Sequence, residues 1–558
     1  MEDKKIKILL SIGTIIIVAV FAVSLFKNIA YPLLWNDEAS TAMFGKRVLQ
    51  YGYPKVHDDK NSLYLWSDQN HDIGTRSNGD VYIAEGWTQY YLAALGDSLA
   101  NKSDDVYVKT AMLRIPFAVA GFLGIIIFGL TIGLFFNKNR KWALIAFFIF
   151  ELFSISLILH LREVRYYSLV ILFASIIFNV YIRHVILKTL KYKHYLWVIS
   201  LLVVLLFHTH YPIAAAFMVA LGIHSLILAF SRCEKKLSIF VREFFKLALP
   251  LFVSLIFIIP SLVYFKTLIT ANALTTEYAL GFGVYVRNVV LALSFFAKFE
   301  FLCLAIFLKI LLAIFIRNNK NNNAEDDKIL IKTSNFLTLF FCVYILVIAR
   351  SLYVFERYII VLQPVLVCII LLDILLCWRR FHYVFVVGEY SRRAMLKMFL
   401  VLILMATGFN LIPQIKSIKG HLYEITHRYK GPLDFVIPYI QEKYGDSSKI
   451  IIATNYEENS YMYYLDSKTI VGYVGNNLTE DRKLQPDVVI YRKYRNFDQD
   501  YVDVFNAFLN AEKYQKINFP IFDYPYNNIP ELNYMASHLY KTKLTNDDAE
   551  KLDIYVKQ

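Results

Sequence analysis

Two adjacent carboxylates, Asp37 and Glu38, stand in the tetrad Trp35-Asn36-Asp37-Glu38, just after the first long apolar run of a 558-residue chain. A carboxylate held beside a hydroxyl or amine can take its proton, an effect worth roughly 10²–10⁴ in rate. The place is as informative as the residue types. An enzyme acting on a lipid-linked substrate must hold its base where the headgroup meets water, and this pair falls at that depth. Acidic residues also suit a helix start. Asp37 could cap a helix beginning at Glu38, and such a cap would itself fix a carboxylate at the membrane surface.

Arginines supply the opposite charge. Arg114 stands where the chain enters its second apolar run. Arg162 and Arg165 lie in Leu161-Arg162-Glu163-Val164-Arg165-Tyr166-Tyr167, and Arg357 lies in Phe355-Glu356-Arg357-Tyr358. An ionisable side chain at membrane depth is costly and points to function. The guanidinium fork suits a phosphate because it donates two parallel hydrogen bonds. The structural alternative is an anchor at the interface, or a partner for Glu163 and Glu356. His57, Asp58, Asp59, His71 and Asp72 offer oxygen and nitrogen donors, but their spacing matches no specific metal site, and a solvated loop accounts for them better. His208-Thr209-His210-Tyr211 suits either contact with a sugar or headgroup, or a polar belt at the interface.

These residues need a membrane scaffold to hold them. The chain is 57% hydrophobic with 14 prolines and 21 glycines. Apolar runs long enough to span a bilayer are expected near 7–27, 115–136, 142–160, 166–187, 195–209, 212–230, 247–265, 289–316, 333–350, 358–377 and 398–414, about eleven in all. No small-residue cleavage site follows the first run, which therefore reads as a span rather than a signal peptide. Lysine and arginine gather at the start (Lys4, Lys5, Lys7) and in 137–141, 188–194, 231–246, 317–332 and 378–397. Eleven spans place all of these on the cytoplasmic side. The N-terminus is then cytoplasmic, and the loop 28–113 and everything after about 415 lie outside. The net charge of +14 is a topology signal, scattered over loops rather than gathered into one patch, so no nucleic acid is expected as a partner. Cys233, Cys303, Cys342, Cys368 and Cys377 all fall within spans or on the cytoplasmic side, which gives the outer parts no disulfide.

Two domains follow: a membrane domain over 1–414, interrupted by the outer loop 28–113, and an outer α/β domain over 415–558. Within the loop, 38–50 and 85–99 have apolar residues at helical spacing and suit helices lying on the bilayer. Residues 54–80 are polar and irregular. After 415, short apolar runs at 449–454, 469–473 and 486–491 predict strands. They alternate with helical patterns at 433–444, 456–465 and 500–512. No internal repeat supports an inverted-repeat transporter.

Taken in order, these motifs resemble the GT-C superfamily of integral-membrane glycosyltransferases, near the branch of protein O-mannosyltransferases and lipid A aminoarabinose transferases. Asp37-Glu38 matches the acidic pair of the first outer loop. Arg114-Ile115-Pro116 matches an Arg-x-Pro opening the second span. Arg162 to Leu169 matches Arg-x-x-Arg-x-Tyr-x-Leu. Arg357-Tyr358 with Pro364 matches a late Arg-Tyr-x-x-x-x-x-Pro. Residues 433–473 resemble the outer domain of bacterial members. One stretch departs: Ala84-Glu85-Gly86-Trp87-Thr88-Gln89-Tyr90-Tyr91 keeps an acidic residue but lacks the Lys-Pro portion common in relatives.

The resemblance implies a GT-C fold, a polyprenyl-phosphate-linked sugar as donor, and inverting displacement at the anomeric carbon with Asp37 as base. Glu38 completes the catalytic pair, and Arg114, Arg162, Arg165 and Arg357 hold the lipid phosphate. Glu85, Tyr166 and His210 orient substrate. No cofactor is required, in keeping with the lack of a nucleotide-binding fingerprint; a divalent metal is compatible, though no metal ligands are assigned. The acceptor is a protein, lipid or glycan, and the expected location is the bacterial inner membrane, with an endoplasmic-reticulum membrane as the alternative. A lipid-linked glycan flippase, or a ligase using a pyrophosphate-linked donor, is the competing reading.

Overall fold

The structure, a computed structural model, describes residues 2–63, 75–76, 80–136, 139–233, 236–264, 281–318, 325–351, 354–386, 415, 422–472, 478–493, 499–523 and 551–558. The expected span at 398–414, together with His71 and Asp72, lies outside these residues.

The protein is an integral membrane protein. Among the described residues, eight helices are long and apolar enough to cross a bilayer, or nine if one bent pair forms a single span. The first, α1 (Glu2–Phe26), leads into α2 (Asn36–Tyr51), two short paired strands β1 (Thr75–Arg76) and β2 (Val81–Tyr82), and α3 (Thr88–Ala100). There follow α4 (Val106–Gly133), α5 (Arg140–Phe153), α6 (Ile155–Leu161), α7 (Tyr167–Tyr181), α8 (Tyr192–Phe207), α9 (Tyr211–Arg232) and α10 (Leu237–Tyr264). Helices Phe282–Phe299, Leu302–Asn318, Glu325–Ile348 and Leu362–Val386 complete the described bundle.

Three expected spans differ in detail. The run at 142–160 is the pair α5 and α6, bent by 84°. The run at 195–209 is the shorter helix α8, and the run at 289–316 is split around Glu300 into two helices. Broken helices occur at membrane depth where protein covers the freed backbone groups. Here the two breaks meet: Ser154, between α5 and α6, donates to Glu300 at 2.7 Å. Charged side chains also stand within the apolar runs at Lys298, Glu300 and Asp373. Asp373 is fully buried against Lys309 at 3.2 Å and Ser334 at 2.6 Å.

Helices α2 and α3 form where the loop pattern places them. They pack so closely that a Cβ on Gly45 would collide with Ala93, so glycine is needed there for the approach itself. The face bearing α2 and α3 also carries the α/β unit. Its helices Leu433–Tyr444, Glu458–Leu465 and Gln499–Ala511, and its strands β3 (Ile451–Thr454), β4 (Lys468–Val471) and β5 (Val488–Ile490), fall on the expected runs. Strands β6 (Tyr514–Phe522) and β7 (Lys551–Lys557) were not foreseen. They extend the sheet to the order β4-β3-β5-β7-β6, parallel at β4-β3-β5 and antiparallel beyond.

The segment bearing α2 and α3 and the α/β unit share one core. Leu34, Phe44 and Tyr90 from the loop and Val164 after α6 belong to the same buried cluster as Ile437, Tyr461, Tyr464 and Val488. Burying each such side chain is worth about 1.5–3 kcal/mol. Helix Glu458–Leu465 packs directly on α2, so the sheet unit presses on the helix that carries Asp37.

Candidate active site at the membrane surface

Helix α2 starts at Asn36, with Trp35 at its cap position making no side-chain cap bond. Asp37 and Glu38 therefore lie in the first turn, where the helix dipole favours negative charge, and Asp37 is not the cap. Their carboxylates diverge.

Glu38 turns inward and is fully buried. Arg114 donates to it twice, from Nε at 2.8 Å and from Nη2 at 2.5 Å, and the backbone N–H of Val164 donates at 2.9 Å. The third guanidinium nitrogen of Arg114 bonds the carbonyls of Ile29 and Pro32 at 2.9 and 2.8 Å. Every nitrogen of Arg114 is thus engaged within the protein. The pair ties α1's exit, α2, α4 and the α6–α7 turn together.

Asp37 turns outward, with its side chain 32% exposed. Arg165 and Arg357 approach one carboxylate oxygen at 3.9 and 3.8 Å. Both separations exceed hydrogen-bond length, so charge orients Asp37 while its lone pairs stay open to an incoming group. Arg165 is itself held by Glu85, at 2.8 and 3.2 Å, and by Thr41 at 3.1 Å. Burial pushes the Glu85 carboxyl up, but Arg165 outweighs it and holds the group below its ordinary range. Arg357 lies over the rings of Phe355, Trp35 and Tyr358, at 4.2, 5.5 and 6.0 Å from their centroids. Aromatic faces favour a cation there.

An aromatic wall, buried at Tyr166 and half-buried at His210 and Tyr358, completes the site. His210 packs on Tyr166 at 4.3 Å and on Tyr358 at 5.7 Å. Burial brings His210 down to about 4, against the pull of Glu85, so the ring is neutral near neutral pH. The hydroxyls of Tyr166, Tyr167 and Ser168 and the Nε of Arg165 are buried without a hydrogen-bond partner. Buried polar atoms are normally satisfied, and four such atoms in one stretch suit a ligand that would satisfy them. Gly86 lets the Glu85 loop touch the turn after α8, since a Cβ there would strike the backbone of His208.

Arg162 stands apart. It donates to the carbonyl of Lys27 at 3.2 Å and pairs with Glu424 at 3.5 Å. The structure thus gathers Asp37, Arg165, Arg357, Glu85, Tyr166 and His210 into one site. It directs Glu38 and Arg114 into a lock behind that site, and Arg162 toward the seam with the α/β unit. Sequence reasoning missed His160, which lies 3.4 Å from both Glu163 and Glu356. A histidine inside the apolar run 155–161 was the available signal. It also missed Thr41, whose hydroxyl carries no such mark. Among the described residues, no group of three or more His, Cys, Asp or Glu side chains could hold a metal ion.

No protein-family profile and no curated protein matches the sequence. Solved structures do match in fold. ArnT from Cupriavidus metallidurans in the apo state aligns with a TM-score of 0.52 at 12% identity, covering 92% of this chain and 96% of that one. ArnT from the same organism bound to undecaprenyl phosphate aligns at 0.49 and 11% identity, over 90% of this chain and 95% of that one. Over most of its length the chain therefore shares the fold of ArnT.

Proposed function

We propose that this protein is a glycosyltransferase that moves a sugar from a polyprenyl-phosphate-linked donor to an acceptor at the outer membrane face. The observation that carries the reading is Asp37, open and flanked by Arg165 and Arg357, in the first turn of α2 of a fold shared with ArnT.

The residues divide the work. The departing phosphate gathers negative charge as the glycosidic bond breaks, and fixed cations stabilise that charge most where water is scarce. Arg165 and Arg357 supply them, with Glu85 and Thr41 setting the angle of Arg165. Asp37 accepts the proton of the acceptor hydroxyl. The acceptor oxygen bonds the anomeric carbon from the face opposite the phosphate, the carbon–oxygen bond to phosphate breaks, and its electron pair leaves with the lipid. Inversion follows from that single displacement. Tyr166 and His210 line the sugar's place. Glu38 and Arg114 are positioning residues that hold α2. The arginines supply the charge without a cofactor, and a divalent ion is compatible with the scheme. We place the protein in a bacterial inner membrane with its N-terminus cytoplasmic and the α/β unit outside.

Mass spectrometry of lipids that co-purify with wild-type protein and with Asp37→Asn tests the reading. A polyprenyl monophosphate sugar should appear, and accumulate in the variant. Equal amounts in both proteins, or a transported glycan in place of that lipid, would favour the flippase. A pyrophosphate-linked lipid would favour the ligase.

A further inference from the structure

Helices α7, α8 and α9 each have one end at the site and the other at the far end of the bundle. With the π-helical turn that follows it, Ile182–Ile186, α7 runs 20 residues from Tyr167. At about 1.5 Å per residue that is about 30 Å. Helix α9 runs from beside His210 to Arg232, and α8 begins at Tyr192 and ends next to His208. At the far end, the turn after α7, the end of α9 and the first part of α10 border a cavity of about 160 Å³. A cavity of roughly 150 Å³ admits a benzene molecule, so a phosphate group fits this one.

Its polar lining is cationic. Lys188, Arg232 and Lys246 converge on it, together with His184. Arg232 is partly neutralised by Glu243 at 3.4 Å. Among the described residues, neither the Lys188 nor the Lys246 ammonium has an ion-pair or hydrogen-bond partner. The backbone is shaped to bring Lys188 there. Its φ of 56° lies in the left-handed region, which lysine rarely adopts. The N–H groups of Thr189 and Leu190 both donate to the Arg183 carbonyl, at 2.8 and 3.3 Å. His184 donates from Nδ1 to the Leu190 carbonyl at 2.8 Å and stacks on Tyr195 at 4.4 Å. Strained residues persist where their surroundings over-determine them, and they gather at ligand clamps. Single π turns in helices are likewise frequent at functional sites. Topology alone would put lysines at this end of the spans, but a solvated fringe of charge requires neither a cavity nor a strained residue in its wall.

The remaining walls favour a lipid over a soluble anion. Val185 and Leu247 are apolar. Along the spanning helix α10, Leu249 follows Lys246 by about one turn and Phe257 by about three, and these side chains are 36% and 59% exposed. An apolar stripe therefore leaves the cavity along the membrane face of α10, where acyl chains can lie. A choline headgroup would bring an ammonium toward Lys188 and Lys246, so a net-anionic headgroup suits the charge. Basic pockets between spanning helices are a recurring form of lipid headgroup site. We propose that this cavity binds the phosphate of a net-anionic phospholipid, in the leaflet opposite Asp37.

Native mass spectrometry of the full-length protein released from neutral detergent tests this. The probes are dioleoyl-phosphatidylglycerol and dioleoyl-phosphatidylcholine. The glycerol lipid should bind more tightly than the choline lipid. Its tightest binding constant should weaken about fivefold in Lys246→Ala and in Lys188→Gly. Glycine suits the left-handed backbone at 188 better than lysine does, so Lys188→Gly removes the charge without lowering the melting temperature. Lys246→Arg keeps the charge and should bind within about twofold of wild type. Arg357→Ala, at the other end of the bundle, should bind as wild type does. The proposal is overturned if the choline lipid binds as tightly, if both lysine variants hold the glycerol lipid as well as wild type, or if the loss appears in Arg357→Ala instead. Millimolar inorganic phosphate should leave the lipid bound. Displacement by phosphate would assign the cavity to a soluble anion and overturn the lipid proposal.

Discussion

Glu38 and Asp37 are neighbours on one helix turn, and both face arginine, yet their surroundings differ in one decisive respect. Glu38 meets Arg114 in a closed, bidentate pair with every nitrogen of that arginine engaged. Asp37 meets Arg165 and Arg357 at separations too long for hydrogen bonds. Arg492, buried between Glu457 and Asp523 in the α/β unit, repeats the closed pattern. The same two functional groups close on each other in one place and are held slightly apart in the other, and the proposed chemistry uses the second arrangement. Burying a closed pair yields little net stability, whereas removing one partner leaves an uncompensated charge. An open arrangement keeps its interaction in reserve for a charge that develops during reaction.

The largest effect should come from the open side. Asp37→Asn should lower transfer by roughly 10²–10⁴ or more while leaving the melting temperature near wild type, measured as product formed per folded protein. A variant that retained full activity would remove the base from the scheme. Next, Arg357→Ala should cost about 10²–10³ in turnover, and Arg165→Lys should lose much of its function too, because an ammonium cannot bridge Glu85 and phosphate as a fork does. Single-turnover assays with isolated donor lipid would show whether the loss lies in chemistry or in donor binding.

The closed side should fail differently. Glu38→Gln or Arg114→Ala should destabilise the protein by about 3–5 kcal/mol, seen as lower yield and a lower unfolding temperature in detergent. The activity of the surviving folded fraction should fall far less than in Asp37→Asn. If Glu38→Gln folded normally and lost all turnover, the distinction between lock and site would collapse. The smallest effect concerns His210. Its folded value is held at about 4 by burial, while the unfolded ring titrates near its ordinary value of about 6.5. Below that value the unfolded chain binds a proton that the native site refuses, so stability should fall as pH drops from about 6.5 toward 4. His210→Gln should flatten that part of a melting-temperature profile; an unchanged slope would mean that other groups produce it.

Much of the fold was legible because its signals are local. Long apolar runs require helices in a bilayer, and the alternation of strand and helix patterns between 433 and 512 needed no distant information. Strands β6 and β7 were missed for a related reason. β7 pairs with β5 across more than sixty residues of chain and stands apart from the helix–strand alternation. The breaks at Ser154 and Glu300 were missed because composition alone reads each run as continuous, and only their mutual contact shows why the chain stops.

The site divides along the same line. Residue types and order marked Asp37, Glu38 and the arginines at 114, 162, 165 and 357 as candidates, because carboxylates and guanidinium groups at membrane depth are costly. Which carboxylate faces which arginine was decided only by the tertiary structure. Side chains one residue apart on a helix point about 100° apart, so the packing of α4 and the α6–α7 turn on one side of α2 closes Glu38 against Arg114 and leaves Asp37 facing outward. Arg162 and Arg165, three residues apart in a turn, were separated in the same way, one toward the seam and one toward Asp37. Sequence set the chemistry available; the directions in which α2 and its neighbours present their side chains set which of it stays open.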